Sequence, residues 1–175
     1  MSASLLIAMM TLSFQANAQG GGYGAKTKDV VDIAAGSEAH TTLVTAVKAA
    51  ELVSTLKGDG PFTIFAPTNE AFEALPEGTL TTLLKPENKD MLTNILTYHV
   101  VSGNLDSKAV VNAIQGAEGG VAELAALNGG TIKAMVEGEN VYLMDEKGNK
   151  AKVTAVDLKG SNGVIHVIDS VIMPE

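Results

Sequence analysis

Apolar residues keep two different periods along this chain, and the change falls near Val121. Before it they recur at the three-to-four spacing of helices with one buried face. Thr27 to Ala35 is a predicted helix with Val30, Ile33 and Ala34 on one side, Thr27 as its cap, Asp29 in the first turn and Gly36 as its stop. A second runs from Ser37 to Ala50 on a Leu43, Val44, Val47 stripe, and Leu52, Val53 and Leu56 prolong the signal until Gly58-Asp59-Gly60 breaks it. Phe62 to Ala66, aromatic and β-branched between two prolines, predicts a strand. Thr68 then caps a short helix through Phe72. Ala71 stands where a capping-box Glu or Gln would be, so the hydroxyl caps alone. Further helices are predicted at Thr79 to Leu84, at Asn88 to Thr97, and from an Asp106 cap through Ile114, with Tyr98 to Val101 extended between the last two.

Beyond Val121 the pattern is β. Thr131 to Val136, Val141 to Met144, Ala151 to Val156, Val164 to Ile168 and Val171 to Met173 are predicted strands. The turns between them are rich in Gly, Asn and Asp, which tolerate positive φ. Ile165, Val167 and Val171 fall at period two, which places His166 on the opposite side of its strand, towards solvent. Helices first and strands after give an α+β domain.

At 175 residues the chain is long enough for one domain with a sizeable core. Its 12 basic residues are all lysine, against 20 acidic ones, for a net charge of −8. Without arginine there is no bidentate phosphate clamp, and the acidic balance argues against nucleic acid as a partner. The absence of cysteine removes disulfides, thiolate metal sites and thiol nucleophiles. Three Tyr, four Phe and no Trp make a poor supply of stacking platforms. Residues 1–18 are a predicted signal peptide: Leu5 to Phe14 is apolar but too short to span a bilayer, and Ala16-Asn17-Ala18 suits cleavage before Gln19. Residues 19–25 are a glycine-rich linker, with neither a preceding strand nor the GK[ST] of a phosphate loop, and 26–175 are the domain. The expected location is secreted or periplasmic.

Candidate chemistry is sparse. His40, His99 and His166 show none of the spacings of a local metal site. There is no G-x-S-x-G, and His166 and Asp169, three apart on a strand, do not make a triad. Asp145 to Asn149 lacks the alternating ligands of a calcium loop and reads as a hairpin turn. No catalytic, metal or cofactor residue is expected.

Gly60 to Phe72 reads GPFTIFAPTNEAF, Asn162 to Pro174 reads NGVIHVIDSVIMP, and Leu96 to Val101 between them reads LTYHVV. These resemble the two signature boxes and the central Tyr-His element of the fasciclin-like domain family. Thr63, Phe65, Ala66, Pro67, Thr68, Asn69, Ala71 and Phe72 match the first box. Gly163, Ile165, His166, Val167, Ile168, Asp169 and Pro174 match the second, and the Asn128-Gly129 turn also fits. The resemblance covers nearly all of Lys26 to Pro174. It implies a wedge-shaped β-sandwich of two short sheets with helices packed along one edge. It also implies a secreted, non-enzymatic adhesion or matrix and biofilm module that contacts extracellular protein or glycan surfaces. Some members carry pigments or lipids, so an apolar small ligand is the alternative, served by the four methionines left after cleavage (Met91, Met135, Met144, Met173). Adhesion in animal members is attributed to the element matched by Tyr98 and His99. Here their apolar neighbours Leu96, Val100 and Val101 favour a packed pair with hydrogen-bonded polar tips.

Intact-mass measurement of the exported protein is expected to show a chain beginning at Gln19. Cytoplasmic protein still carrying Met1 would refute the signal peptide.

Overall fold

The computed structural model describes residues 27–175, so the predicted signal peptide and linker lie outside the described residues. The chain begins with α1 (Val30–Ala35), α2 (Thr41–Ala49) and α3 (Val53–Leu56). Asp29 caps α1 through a bond from the Asp32 amide, a role the sequence had given to Thr27. The helix therefore starts at Val30, the first residue of its apolar stripe and later than the expected Thr27; Asp29 also holds Lys57, which bridges to Asp32 at 2.7 Å, and the Val30 amide is taken by Asn162. The helix expected from Ser37 is divided into a 3-10 turn, Glu38–His40, and α2, with the backbone breaking at His40 (φ −122°).

The first box folds as read. β1 (Phe62–Pro67) leads into α4 (Asn69–Glu73), where the Thr68 hydroxyl accepts the Ala71 amide at 3.3 Å. Next come α5 (Thr79–Leu83), α6 (Lys89–Tyr98), β2 (Val100–Ser102) and α7 (Ser107–Gly116), the last capped by Asp106. Tyr98 is therefore the final residue of a helix, not the first of an extended segment. Five strands follow: β3 (Val121–Ala125), β4 (Thr131–Glu137), β5 (Asn140–Met144), β6 (Lys150–Gly160) and β7 (Gly163–Ile168). β3 was not resolved from the sequence as a strand. Val171 to Met173, predicted as a strand, is not one: the Ile172 and Met173 amides bond to the side chains of His99 and Asp145 instead of to a ladder.

The strands join in the order β2-β1-β7-β6-β5-β4-β3. All pairs are antiparallel except β1 with β7. β6 spans 11 residues, pairing with β5 at its start and with β7 along the rest. It thereby links what would otherwise be two short sheets into one seven-stranded ladder. The outer strands approach each other through a Val101–Ala126 bridge and a 2.7 Å bond from the Leu127 amide to the Val100 carbonyl, so the sheet curls almost into a barrel.

β1 and β7 sit between two cores. Ile64, Ala66 and Ile165 face the helices and pack with Val30, Leu43 and Leu96. Phe65 and Ile168 face inward with Tyr98, Ile114, Leu124, Ile132 and Leu143. Every residue of β7 is buried, which corrects the expectation of a solvent face at His166. Parallel, centrally placed strands lose their alternation in this way because both faces are covered. The parallel start is tight: a Cβ on Gly163 would lie 2.0 Å from the Phe62 carbonyl oxygen, so glycine is required there.

Phe65 is 1% exposed. Phe65→Ala is expected to destabilise by about 3–5 kcal/mol, and Thr68→Ala by about 0.5–2 kcal/mol. Urea melts measure both, and a near-neutral Phe65→Ala would contradict the inner-core placement.

Candidate functional site

Tyr98 and His99 sit where α6 hands the chain to β2. Leu92, Ile95 and Leu96 are buried along α6, and that face carries both residues into the interior. They then diverge. Tyr98 is fully buried in the inner core, and its hydroxyl donates to the Thr131 carbonyl at 2.7 Å. Gly130 lies against the ring, where a Cβ would come within 2.8 Å of Cε2. The adjoining Asn128 fastens this turn through bonds to Asn94 and to the Gly130 amide. Burial and the nearby Glu146 charge push the Tyr98 hydroxyl up to about 12.

His99 faces the helix side. Its Nδ1–H donates to the Ile95 carbonyl at 2.8 Å, and its Nε2 accepts the Ile172 amide at 3.3 Å. Those two bonds define a neutral ring with its proton on Nδ1. Burial pushes its pKa down to about 4, against smaller opposing effects from the Ile95 carbonyl and Asp145. His99 and Asp145 together tie down the C-terminal segment, since the Met173 amide bonds to Asp145 at 3.1 Å. Asp145 also accepts from the Lys147 and Asn149 amides and the Asn149 side chain, which makes the 145–149 segment a closed turn.

The polar box residues are similarly committed. Thr63 is buried, donating to the Gly103 carbonyl and accepting from the Leu105 amide. Asn69 accepts from the Thr42 amide and donates to the Glu38 carbonyl, so it caps α2 from a distance. Asp169 accepts the Lys152 amide. His166 stacks on Phe65 with ring centres 5.7 Å apart. Tyr98, His99 and the apolar box residues thus line two cores on opposite faces of β1 and β7 and do not converge on one reactive centre. Among the described residues no cluster of three His, Asp or Glu side chains is placed to hold a metal ion. None of their helices is long and apolar enough to cross a membrane.

The fasciclin domain profile matches residues 38–174. The chain belongs to the fasciclin domain family. Protein sll1483 of Synechocystis sp. is 52% identical over 145 residues, spanning 83% of this chain and 73% of that protein. The transforming growth factor-beta-induced protein ig-h3 of Sus scrofa is 36% identical over 145 residues, but those are only 19% of its length. A FAS1 domain pair from the insect cell adhesion molecule Fasciclin I superposes with a TM-score of 0.73 at 19% identity, covering 85% of this chain and 51% of that one, which speaks to fold.

In this fasciclin domain several working residues lay outside the sequence reading. Asn162 accepts the Val30 amide and donates to the Leu56 and Gly58 carbonyls, holding the helix layer to the start of β7. Ser107 and Asp157 bond to each other across 50 residues. The only local signal at Asp157 was a carboxylate interrupting an apolar strand pattern.

Because the folded pKa of His99 lies below its unfolded value, the unfolded chain gains the proton first as pH falls. The stabilisation is complete above pH 6.5 and is lost progressively down to about pH 4. The loss amounts to about 3 kcal/mol. His40 is lowered in the same direction by burial. Urea melts between pH 7.5 and 4 should show a steeper decline for the parent than for His99→Gln. Equal slopes would contradict the buried neutral ring.

Proposed function

We propose that this chain is a non-enzymatic extracellular adhesion module that contacts a protein or glycan surface of a matrix or biofilm. The observation carrying this reading is an uncovered sheet face. On β3 to β6 the buried residues Ala122, Leu124, Ile132, Ala134, Leu143 and Ala151 point inward. Their alternates point out: Val121, Met135, Tyr142 and Met144 are half-buried apolar positions on adjacent strands. Lys133, Lys150 and Lys152 share this face, with Tyr142 opposite Lys152 in the ladder and Lys150 paired to Glu137. An outward surface carrying one aromatic and two methionines among lysines suits contact with another macromolecule better than it suits catalysis. The boxes, in contrast, spend their polar groups inside the fold. A fold shared with domains of an insect cell adhesion molecule supports the same reading.

A second reading, a carrier of an apolar molecule, rests on a cavity under α1 and α2. It is lined by Val30, Leu43, Val47, Leu96, Ile165 and His99, and about 30 Å3 of it is open to the centre of a water molecule. Coloured or lipid-extractable material co-purifying with the native protein would favour this reading over the first.

The adhesion test compares attachment of protein-coated beads to matrix with thermal melts. Tyr142→Ala and Lys152→Glu are expected to reduce attachment while costing no more than about 1 kcal/mol of stability, the scale of a cross-strand pair. His99→Ala is expected to cost about 1–3 kcal/mol by leaving buried groups unpaired, and to reduce attachment only as stability falls. Attachment that is abolished in His99→Ala without a change in melting, and unaltered in the two face variants, would overturn this reading.

A further inference from the structure

The inner face of β7 holds a group that the fold leaves incomplete. His166 is 2% exposed, and its Nε2–H donates to the Leu105 carbonyl at 2.6 Å. With the proton on Nε2, Nδ1 is an acceptor. That atom is buried with no hydrogen-bond partner. Buried polar atoms without a partner are rare in folded proteins.

The ring lines a small cavity together with Phe65, Ser107 and the valines Val110, Val141, Val153 and Val156. About 20 Å3 of it is open to the centre of a water molecule, room for one small polar group. Val156 is 44% exposed, so the cavity reaches the surface there. This cavity lies across the sheet from the one under α1 and α2, since Phe65 and Ile64 occupy opposite faces of β1.

The backbone beside the opening is distorted. The pairing of β6 with β7 slips between Val153 and Ala155 and again between Ala155 and Leu158. Asp157, inside the second slip, has φ 59°. Bulges concentrate beside functional sites, and a non-glycine residue at positive φ is held there by its surroundings. The holding partner is Ser107. Its amide and hydroxyl both donate to the Asp157 carboxylate, at 2.7 and 2.5 Å. With its proton spent on Asp157, the Ser107 hydroxyl offers the cavity only lone pairs.

The cavity therefore presents acceptors and hydrocarbon, with a fixed carboxylate near its opening. A carboxylate or phosphate would meet no donor and would be repelled by Asp157. A bare hydrocarbon would leave His166 Nδ1 unpaired. We propose that this cavity binds the hydroxyl end of an uncharged aliphatic alcohol, its O–H donating to His166 Nδ1 and its chain leaving past Val156. This site is independent of the adhesion reading and stands or falls separately from it.

The test uses the 15N-labelled chain and the side-chain nitrogen resonances of its three histidines. Titration with 1-hexanol is expected to move the His166 Nδ1 resonance saturably and to leave those of His40 and His99 in place. Dipropyl ether has the same carbon count and no O–H, and should bind about tenfold more weakly, the loss of one hydrogen bond to a buried acceptor. Val156→Trp closes the exit at an exposed position and should weaken 1-hexanol by a similar factor. Equal responses to alcohol and ether, a shift that never saturates, or unchanged binding in Val156→Trp would each overturn the proposal. So would an unmoved Nδ1 resonance, which would mean that water alone fills the cavity.

Discussion

The parallel pairing of β1 with β7 is the constraint on which the rest of the fold depends. Six consecutive residues of β1 register with six of β7, from Phe62 opposite Gly163 to Pro67 opposite Ile168. Each strand is covered on both faces, with Ile64, Ala66 and Ile165 in one core and Phe65 and Ile168 in the other. Burial of this kind stabilises in proportion to the apolar area removed from water, at about 25 cal/mol per Å2. Slipping the register by one residue would exchange the two cores' side chains. The close contact at Gly163 and the bonds from Asn162 to α1 and α3 hold the pair in the observed alignment.

The same arrangement explains which parts were legible in sequence. Local devices were: the strand, proline, threonine cap and helix of the first box appear as read, as does the Asp106 cap of α7. Their causes lie within four residues of one another. His166 was placed on the wrong side because period-two reasoning assumes one wet face, and β7 has none. Asn69 as the cap of α2, and Asn162 as the tie between layers, act across 27 and 132 residues, where no local pattern points to them. The segment after Asp169 has the β-branched composition of a strand, yet its amides bond to His99 and Asp145. Asp157 was invisible for a further reason: a bulge is set by how β6 registers with β7, not by its own residue type.

All three histidines lie inside, a distribution that gives the domain a divided electrostatic character. His40, His99 and His166 are each less than 5% exposed. The surface is left to carboxylates and lysines, whose net charge of −8 varies little across neutral pH. The interior, by contrast, holds imidazoles, and the bonds at both nitrogens of His99 specify its tautomer. Solubility and surface contact are thus governed by groups that keep their charge near neutrality, and part of the acid response of the fold by the buried His99 and His40.

Because β7 is the last of the described strands and lies inside the sheet, the two halves of the seam come from the first and the last of those strands. A premature stop anywhere before Gly163 would remove the middle of the sheet, not its margin, and would leave β1 without its parallel neighbour. A cut in the Asn128-Gly129 turn has a different effect. It would give one piece bearing β1 and the helix layer and another bearing β6 and β7, each exposing an apolar strand edge that the other is shaped to cover. Such pieces are natural candidates for a split reporter that assembles only when both halves are brought together.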